Sequence, residues 1–496
     1  MMLEKVVVSQ KLPKEEYDRV FPGLERELSE LQQRVRALGV PVIVLFEGWD
    51  ASGKGTLINR LLLCLDPRGF KVHPINPPTD EELRRPFLWR FWIRTPERGK
   101  MAILDRSWYG RVLVERVDKL VKKSVWSKAY GEILSFERQL VDDGFVLVKF
   151  FLHIGKKEQK RRFMDLEENP STAWKVTTTD WKHNTDYDKW LEAIEEMLLK
   201  TDSGFAPWTI VEAHDRRFAT VKVFRTLVEA LERRTAASSG SAGPRRSVLT
   251  PPRAQTAAST LDGADLSLAL SGDEYEISLK KCQARMRELE HEVYVRRVPV
   301  VIVFQGWDAA GKGGAIKRLV QGMDPRGYDV IPIGAPNDVE KAHHYLWRFW
   351  MSVPKSGHFA VFDRSWYGRV LDERVEGLCA EGEWKRAYGE INEFEEQLAS
   401  HGAVIVKFWL QIDEDEQLRR FRERENTPHK RWKITPEDWR NREKRSLYRA
   451  AIDEMLLRTS TADAPWTIVE SNSKWYARIK VLKTVIERVE ERIFKG

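Results

Sequence analysis

An internal repeat limits the folds that this chain can adopt. The segment "GWDASGKG" begins at Gly48, and its near copy "GWDAAGKG" begins at Gly306, 258 residues later. The same spacing relates Asp105 to Asp363 and the first "APWTIVE" to the second. A repeat of this length is a whole domain rather than a short solenoid unit. The sequence therefore predicts two tandem domains of one fold, which fits a chain of 496 residues.

The stretch between the two copies differs in composition from both. It is rich in Ser, Ala, Gly and Pro and poor in aromatic residues, which is typical of a flexible linker. We therefore predict a first domain at residues 1–232, a flexible linker at 233–272 and a second domain at 273–496.

Each repeat alternates short apolar runs with helical patterns. In the second repeat "VPVVIVF", "HFAVFD" and "AVIVKFWLQI" are rich in β-branched or aromatic residues and predict three buried strands. The segments "GAIKRLVQGM" and "YGEINEFEEQLASHG" between them have apolar spacing suited to helices. Strands that alternate with helices favour an α/β fold with a mainly parallel sheet.

Charge and targeting signals bound the cellular setting. The net charge of +8 and the isoelectric point near 9.1 favour anionic partners. The N-terminal residues lack a basic-then-apolar signal pattern, and the apolar runs are too short to span a bilayer. The three cysteines have no paired spacing. These features predict a cytoplasmic protein that does not associate with a membrane.

The two glycine-rich segments resemble the phosphate-binding P-loop, G-x-x-x-x-G-K-[ST]. Each lies between a predicted strand and a predicted helix, the context in which such a motif is meaningful. Lys54 and Lys312 would supply a positive charge to the terminal phosphates. Main-chain N–H groups would surround a phosphate, and the residues predicted to contact it in the second repeat are Gly306, Ala309, Ala310, Gly311 and Gly313.

Both loops lack the usual hydroxyl for a metal ion, because glycine follows each lysine, but both carry an aspartate. Asp50 and Asp308 lie inside the loops, while Asp105 and Asp363 end the apolar runs "MAILD" and "FAVFD". A loop carboxylate and a strand-end carboxylate facing one phosphate site would hold Mg²⁺ through oxygen. Two other roles stay open, a loop cap for Asp308 and a helix N-cap for Asp363.

A charged motif follows each strand-end aspartate. It reads "DRSWYGRVLDERVE" from Asp363 and "DRSWYGRVLVERVD" from Asp105. Arg364, Arg369 and Arg374 would lie just past the edge of the sheet, where arginine can bind phosphate oxygens with two parallel hydrogen bonds. The alternative is a solvated helix face.

Together these motifs resemble those of the polyphosphate kinase 2 family. The match includes "GWDAAGKGG", "FDRSWYGRVLDERV", "VIVKFWLQI" and "APWTIVES" and covers both repeats almost completely. Two fused copies resemble the two-domain subclass described as polyphosphate:AMP phosphotransferases. The resemblance implies a thymidylate-kinase-like P-loop fold with a helical lid, Mg²⁺ as cofactor, and phosphoryl transfer from polyphosphate to AMP to give ADP.

The resemblance also implies roles for individual residues. Asp308 and Asp363 would hold Mg²⁺, Lys312 and Arg364 would bind the transferring phosphate, and Arg369 and Glu373 would contact neighbouring substrate groups. The equivalents in the first repeat are Asp50, Lys54, Asp105, Arg106, Arg111 and Glu115. The family usually has asparagine before the arginine of the "SWY" motif, whereas this chain has Gly110 and Gly368.

The repeats differ most in the implied lid. Residues 430–445, the lid segment, hold seven basic and three acidic residues, a net charge of +4, whereas the equivalent residues 172–187 hold two of each. A long polyanion needs a basic path. We therefore predict that the second repeat carries most of the activity and that the first is weakly active or structural. Predicted phosphate or nucleotide ligands are Arg431, Lys433 and Arg442 in the lid segment and Lys407 in the third strand.

Two other functions remain open. The first is an ATP-dependent P-loop kinase acting on a nucleotide or another small molecule. The second is a nucleic-acid-binding ATPase, but the tryptophans repeat within each domain, as in "LWRFW", which is typical of core packing. We therefore expect no nucleic-acid partner, and the sequence leaves open whether copies of the chain associate.

Overall fold

The computed structural model describes residues 3–239 and 259–495. Each repeat contributes five strands to its own parallel sheet. The strand orders are β2-β3-β1-β4-β5 and β7-β8-β6-β9-β10. The bounds are β1 Val42–Gly48, β2 Phe70–Pro74, β3 Met101–Asp105, β4 Val146–His153, β5 Trp208–Glu212, β6 Val300–Gly306, β7 Tyr328–Pro332, β8 Phe359–Asp363, β9 Val404–Gln411 and β10 Trp466–Glu470.

Helices connect the strands and flank both sheets. In the first repeat they are α1 Lys14–Ala37, α2 Lys54–Leu62, α3 Asp80–Leu83, α4 Trp89–Trp92, α5 Val114–Val117, α6 Lys123–Asp142, α7 Lys156–Glu168, α8 Thr178–Thr185, α9 Tyr187–Thr201 and α10 Arg216–Ser239. In the second they are α11 Gly272–Arg296, α12 Lys312–Val320, α13 Asp338–Lys341, α14 Trp347–Met351, α15 Asp372–Val375, α16 Glu381–Ser400, α17 Glu414–Asn426, α18 Pro436–Glu443, α19 Arg445–Thr459 and α20 Lys474–Glu490. The predicted α/β fold with two tandem domains is confirmed.

The central strands place the glycine loop beside the strand-end aspartate. Phe304 on β6 pairs with Asp363 on β8, and Phe46 on β1 pairs with Asp105 on β3. Because the strands are parallel, the carboxyl ends of β6 and β8 meet at one edge of the sheet, where ligands bind in open α/β folds. The same edge forms in the first repeat.

The chain forms two compact units that do not follow the repeats completely. The first unit takes Asp338–His344 from the second repeat, and the second unit takes Thr79–Trp89 from the first. Within the first unit Arg98 N donates to Ala342 O at 2.8 Å, and within the second Ser356 N donates to Arg84 O at 2.8 Å. The bounds 1–232 and 273–496 stay predictions, but each unit includes a segment that they assign to the other domain.

The predicted linker at 233–272 is only partly within the described residues, since 240–258 fall outside them. Its two ends belong to regular structure. Helix α10 continues to Ser239, and Ser259 Oγ donates to Asp453 on α19 at 2.6 Å. Within the described part of the predicted linker, Thr235 and Leu261 are buried, and the linker bounds stay a prediction.

Two further observations concern membrane association and the cysteines. Within residues 3–239 and 259–495, no helix is both long and apolar enough to cross a bilayer. Cys64, Cys282 and Cys379 are all unpaired thiols.

Candidate active site

The glycine loop of the second repeat lies between the end of β6 and the start of α12. Gly306 has φ +150°, and a Cβ there would lie 2.6 Å from Leu410 O on β9, so only glycine fits the close approach of the two strands. Lys312 is the first residue of α12, and its Nζ donates to Gly306 O at 2.7 Å and to Trp307 O at 3.3 Å. The glycine loop therefore lies between a strand and a helix, the context expected of a P-loop, and its lysine folds against the loop.

Helix α17 holds the outer side of this loop. Arg420 donates through Nη1 to Ala309 O at 2.9 Å and to Ala310 O at 3.0 Å. Gln417 Nε2 donates to Asp308 O at 3.1 Å. The carbonyl groups of three successive loop residues are thus satisfied, which fixes the conformation of the loop. Sequence reasoning missed both residues, although the pair recurs as Gln159 and Arg162.

The loop aspartate contacts two different elements. Asp308 Oδ1 accepts from Arg364 Nη2 at 3.3 Å, and its Oδ2 accepts from Asn441 Nδ2 at 2.9 Å. Arg364 directly follows β8, and Asn441 lies on α18 in the lid segment. Asp308 therefore joins the loop, the strand end and the lid, so the predicted residues Asp308 and Arg364 come together.

The strand-end turn holds Arg364 in an unusual conformation. Arg364 has φ +66°, a left-handed value that costs energy for a residue with a Cβ. Its main-chain N donates to Phe304 O on β6 at 3.0 Å. The turn therefore directs the guanidinium toward Asp308 rather than along the strand.

Charges of both signs meet around Lys312. Burial lowers the pKa of the Lys312 ammonium, while the carboxylates of Asp308, Asp363 and Asp372 oppose that effect. Burial also raises the pKa of Asp372. Asp372 is a further carboxylate at the site that sequence reasoning missed, because it lies in a run of charges that is more often a solvated face.

A cavity of about 40 Å³ lies between the loop and the lid. Its lining includes Asp308, Arg364, Asp372, Gln417, Asn441 and Tyr448. Tyr448 Oη donates to Asp372 Oδ1 at 3.5 Å. Ligand pockets for nucleotide-sized molecules usually enclose about 300 Å³ or more, so this space is much smaller than such a pocket.

The remaining arginines of the charged motif are paired within the protein. Arg369 Nη1 lies 2.9 Å from Glu373 Oε2, and its guanidinium lies over the ring of Tyr345 at 4.6 Å. Arg374 Nη1 donates to Glu454 Oε2 on α19 at 2.7 Å. Arg369 and Glu373, which are both predicted to contact substrate groups, thus pair with each other, while Arg374 links α15 to α19.

Lys407 is the predicted ligand that the structure does not bring to the site. Its side chain is 0% exposed and its Nζ lies 2.7 Å from Glu395 Oε2. All eight residues of β9 are buried, because helices cover both faces of this central strand. The structure therefore places Lys407 in the core, away from the glycine loop, which argues against its predicted role as a phosphate or nucleotide ligand.

Six of the seven basic side chains of the lid segment divide into two groups, and the seventh, Lys430, pairs with Glu423 at 2.9 Å. Arg431, Lys433 and Arg440 are exposed to solvent. Arg442 donates to Glu414 O at 2.9 Å and to Gln417 Oε1 at 3.1 Å. Three side chains of the second group are thus engaged inside the unit, namely Arg442, Lys444 with Glu376, and Arg445 over the ring of Trp307. Arg431 Nε donates to Glu425 O at 2.8 Å, but all three side chains of the exposed group face solvent, where a polyanion could reach them.

The first repeat keeps the same framework. Lys54 Nζ donates to Gly48 O at 2.7 Å, Arg106 Nη2 lies 3.2 Å from Asp50 Oδ1, and Arg111 lies 2.9 Å from Glu115. Asp105 ends β3 beside the loop. The predicted equivalents therefore occupy matching positions.

Five substitutions at the cavity lining distinguish the first site from the second, and two of them are Glu47 at the position of Gln305 and Phe151 at the position of Trp409. His183 replaces Asn441, and its ring nitrogens lie 3.2 Å from Asp50 Oδ2 and 3.3 Å from Asp118 Oδ2. Burial alone would raise the pKa of Asp50, but the hydrogen bond from His183 and the nearby Lys54 and Arg106 lower that pKa to about 2. The other two changes place Val114 and Trp190 at the positions of Asp372 and Tyr448.

What this arrangement offers is positive charge and main-chain N–H groups around a phosphate site at the edge of a parallel sheet. Lys312 and Arg364 supply the charge, the loop supplies the N–H groups, and three aspartates, Asp308, Asp363 and Asp372, lie beside them. These are the means by which a protein transfers phosphoryl groups through positioning and charge neutralisation. Each repeat therefore has the fold and site of a P-loop phosphotransferase.

The chain belongs to the polyphosphate kinase 2 family. The family's sequence model matches residues 11–239 and again residues 269–495. A polyphosphate:AMP phosphotransferase of Pseudomonas aeruginosa is 43% identical over 495 residues, covering 99% of each chain. A protein of the same name from Acinetobacter johnsonii is 34% identical and covers 94% of each chain. A crystal structure of a chain assigned to polyphosphate kinase 2 from Pseudomonas aeruginosa superposes with a TM-score of 0.87 at 41% identity, covering 100% of both chains.

Proposed function

We propose that this protein transfers a phosphoryl group from inorganic polyphosphate to AMP, giving ADP. The observation that carries the proposal is the similarity over the whole length of both repeats to relatives named for that reaction. The site supports it independently, because its P-loop lysine, strand-end arginine and exposed basic lid are suited to a chain of phosphates.

The side chains of the second repeat have separable roles in this proposal. Lys312 and Arg364 neutralise the phosphate that is transferred and hold it in line with the acceptor. Main-chain N–H groups of the loop bind its oxygens. The exposed Arg431, Lys433 and Arg440 bind the rest of the polyphosphate chain. Arg369 and Glu373 are proposed to orient the acceptor.

Mg²⁺ is the metal that fits the available donors. Asp308 and Asp363 offer carboxylate oxygens, and both lie within electrostatic reach of Lys312. The part of the chain that the structure describes has no group of three or more His, Cys, Asp or Glu arranged as a metal site, but Mg²⁺ usually takes one or two carboxylates and completes its shell with water and substrate phosphates. When bound, the ion would supply charge that offsets the phosphates.

The donor separates this proposal from an ATP-dependent kinase. Purified protein is incubated with AMP and Mg²⁺, and with either polyphosphate or ATP, and ADP is measured by chromatography. With ATP the other product is also ADP, so AMP labelled in its adenine ring is used. We expect labelled ADP with polyphosphate. Labelled ADP with ATP alone would contradict the proposal and favour the alternative.

Salt should affect the two substrates unequally. Between about 50 and 200 mM NaCl we expect the apparent KM for polyphosphate to rise by about tenfold and that for AMP by about twofold, because a polyanion releases bound counterions at each contact. Steady-state kinetics at four salt concentrations measure both values.

The exposed basic side chains provide the control for the salt experiment. Arg431→Ala should weaken the dependence of the polyphosphate KM on salt, because it removes one phosphate contact. Equal salt effects on AMP and polyphosphate in the unaltered protein would contradict a basic path for the donor.

The cellular setting is part of the proposal. The free thiols fit a reducing compartment. We propose that the enzyme works in the cytoplasm without a nucleic-acid or membrane partner.

A further inference from the structure

A buried cluster lies beneath the strand-end turn of the second repeat. The Lys407 cluster comprises Lys407, Glu395, Tyr367, Trp366 and Thr459. Lys407 Nζ donates to Tyr367 Oη at 2.8 Å, to Glu395 Oε2 at 2.7 Å and to Thr459 O at 2.6 Å. Glu395 Oε1 accepts from Tyr367 Oη at 2.7 Å and from Trp366 Nε1 at 3.0 Å. The three donors of the ammonium are therefore all used.

On one side, the Lys407 cluster is bonded to the turn that contains Arg364. Trp366 and Tyr367 follow Arg364 by two and three residues and are buried. A left-handed residue such as Arg364 persists only where its surroundings fix it. The two hydrogen bonds to Glu395 and the one from Lys407 fix the residues that come directly after it.

The opposite side of the cluster holds the helix that lines the cavity. Helix α19 carries Tyr448 and Ile452 at the cavity and ends at Thr459, whose carbonyl accepts from Lys407. The same helix follows the lid segment directly in the chain. Through its one ammonium group, Lys407 therefore bonds both to the C-terminal end of α19, the helix that follows the lid segment, and to the turn that follows Arg364.

We propose that the Lys407 cluster is a positioning network, which sets the place of Arg364 relative to α19 and the lid segment. Lys407 does not touch substrate; it acts through Tyr367 and Thr459. The proposal rests on the proposed function for its assay. It also explains why a lysine is kept in a strand with no access to solvent, since an apolar side chain would fill the space but join neither element.

The first repeat supplies a matched control. Lys149 Nζ donates to Tyr109 Oη at 3.0 Å, to Glu137 Oε2 at 2.8 Å and to Thr201 O at 2.9 Å. A substitution in either cluster therefore removes the same bonds from the same surroundings. Only the cluster beneath the more active site should influence turnover.

The test compares Tyr367→Phe with Tyr109→Phe. Each removes one hydroxyl and keeps the buried ring. We expect Tyr367→Phe to lower kcat by about tenfold, with the KM for AMP and for polyphosphate changed less than about twofold, because a small misplacement of a catalytic group acts mainly on the chemical step. We expect Tyr109→Phe to leave kcat unchanged while lowering Tm by the same few degrees, since both lose equivalent buried hydrogen bonds.

A second pair of variants removes the whole link without leaving a buried charge. Lys407→Met with Glu395→Met replaces the ion pair by apolar side chains, a change that proteins often tolerate. We expect about a hundredfold loss of kcat with native circular dichroism, against little change for Lys149→Met with Glu137→Met. If the single substitution Tyr367→Phe disrupts the fold, these double variants test the positioning role in its place.

The outcomes separate three cases. Equal losses of Tm with unchanged kcat in both repeats would overturn the positioning role and leave the cluster as a stabilising core. A loss of kcat only with Tyr109→Phe would support positioning but place catalysis in the first repeat. If the unaltered protein makes no ADP from polyphosphate, the proposed function fails, and the same comparison is made with ATP as donor.

Discussion

Lys312→Ala should remove most ADP formation, whereas Lys54→Ala should remove little. Both lysines begin a helix and fold against their own glycine loop, so the two substitutions are chemically the same. Loss of a charge that stabilises the transferring phosphate costs about 10²- to 10³-fold in kcat. Steady-state ADP formation with each variant, at saturating Mg²⁺ and polyphosphate, measures the difference.

The two repeats differ in more than the charge of the lid segment, and these differences also predict unequal activity. Three of the lid's basic side chains, Arg442, Lys444 and Arg445, are engaged within the unit, so fewer residues than the sequence suggested can meet the donor. The site itself differs as well, because a histidine, His183, rather than an asparagine contacts the loop aspartate, and no carboxylate stands at Val114. A larger loss with Lys54→Ala than with Lys312→Ala would place catalysis in the first repeat. Equal Tm values for the two variants provide the control.

Asp363→Asn should lower kcat by about 10³-fold without changing the fold. Asparagine keeps the size of the side chain but removes the negative charge at the end of β8, where the proposed Mg²⁺ would bind. Asp308→Asn should raise the Mg²⁺ concentration needed for half-maximal rate. Titration of Mg²⁺ at fixed AMP and polyphosphate gives both quantities, and thermal melting checks the fold.

The matched variant for this prediction is Asp105→Asn. It removes the same strand-end charge from the first repeat and should leave most of the rate. Near-normal turnover of Asp363→Asn at low Mg²⁺ would show that Asp363 does not hold the metal, and its role would then be limited to the turn before Arg364.

The order of strands and loops was predictable because it depends on local signals. Apolar runs of β-branched residues, a glycine-rich turn and helical spacing lie next to one another in the chain, and parallel strands must meet at one edge. Asp308, Lys312, Asp363 and Arg364 follow directly from that order. That these four residues lie close together could be predicted without knowing which distant residues surround them.

Lys407 shows what local signals miss. A lysine in a strand suggests an exposed edge or a ligand-binding position, because burying a lone ammonium is costly. Its partner Glu395 lies on α16 and Tyr367 lies beyond β8, and nothing in the sequence marks the three as neighbours. Asp372 was missed for a related reason, since only the position of α15 beneath the lid brings it to the cavity.

The segments that each unit takes from the other repeat affect how the protein can be made. The first unit includes Asp338–His344, which leave the ribosome only after the second glycine loop has been synthesised. The first unit therefore remains incomplete until the second repeat has been translated as far as His344. Domains otherwise generally fold in the order of synthesis. A gene cut between the repeats would yield two products, each missing a piece that the other encodes.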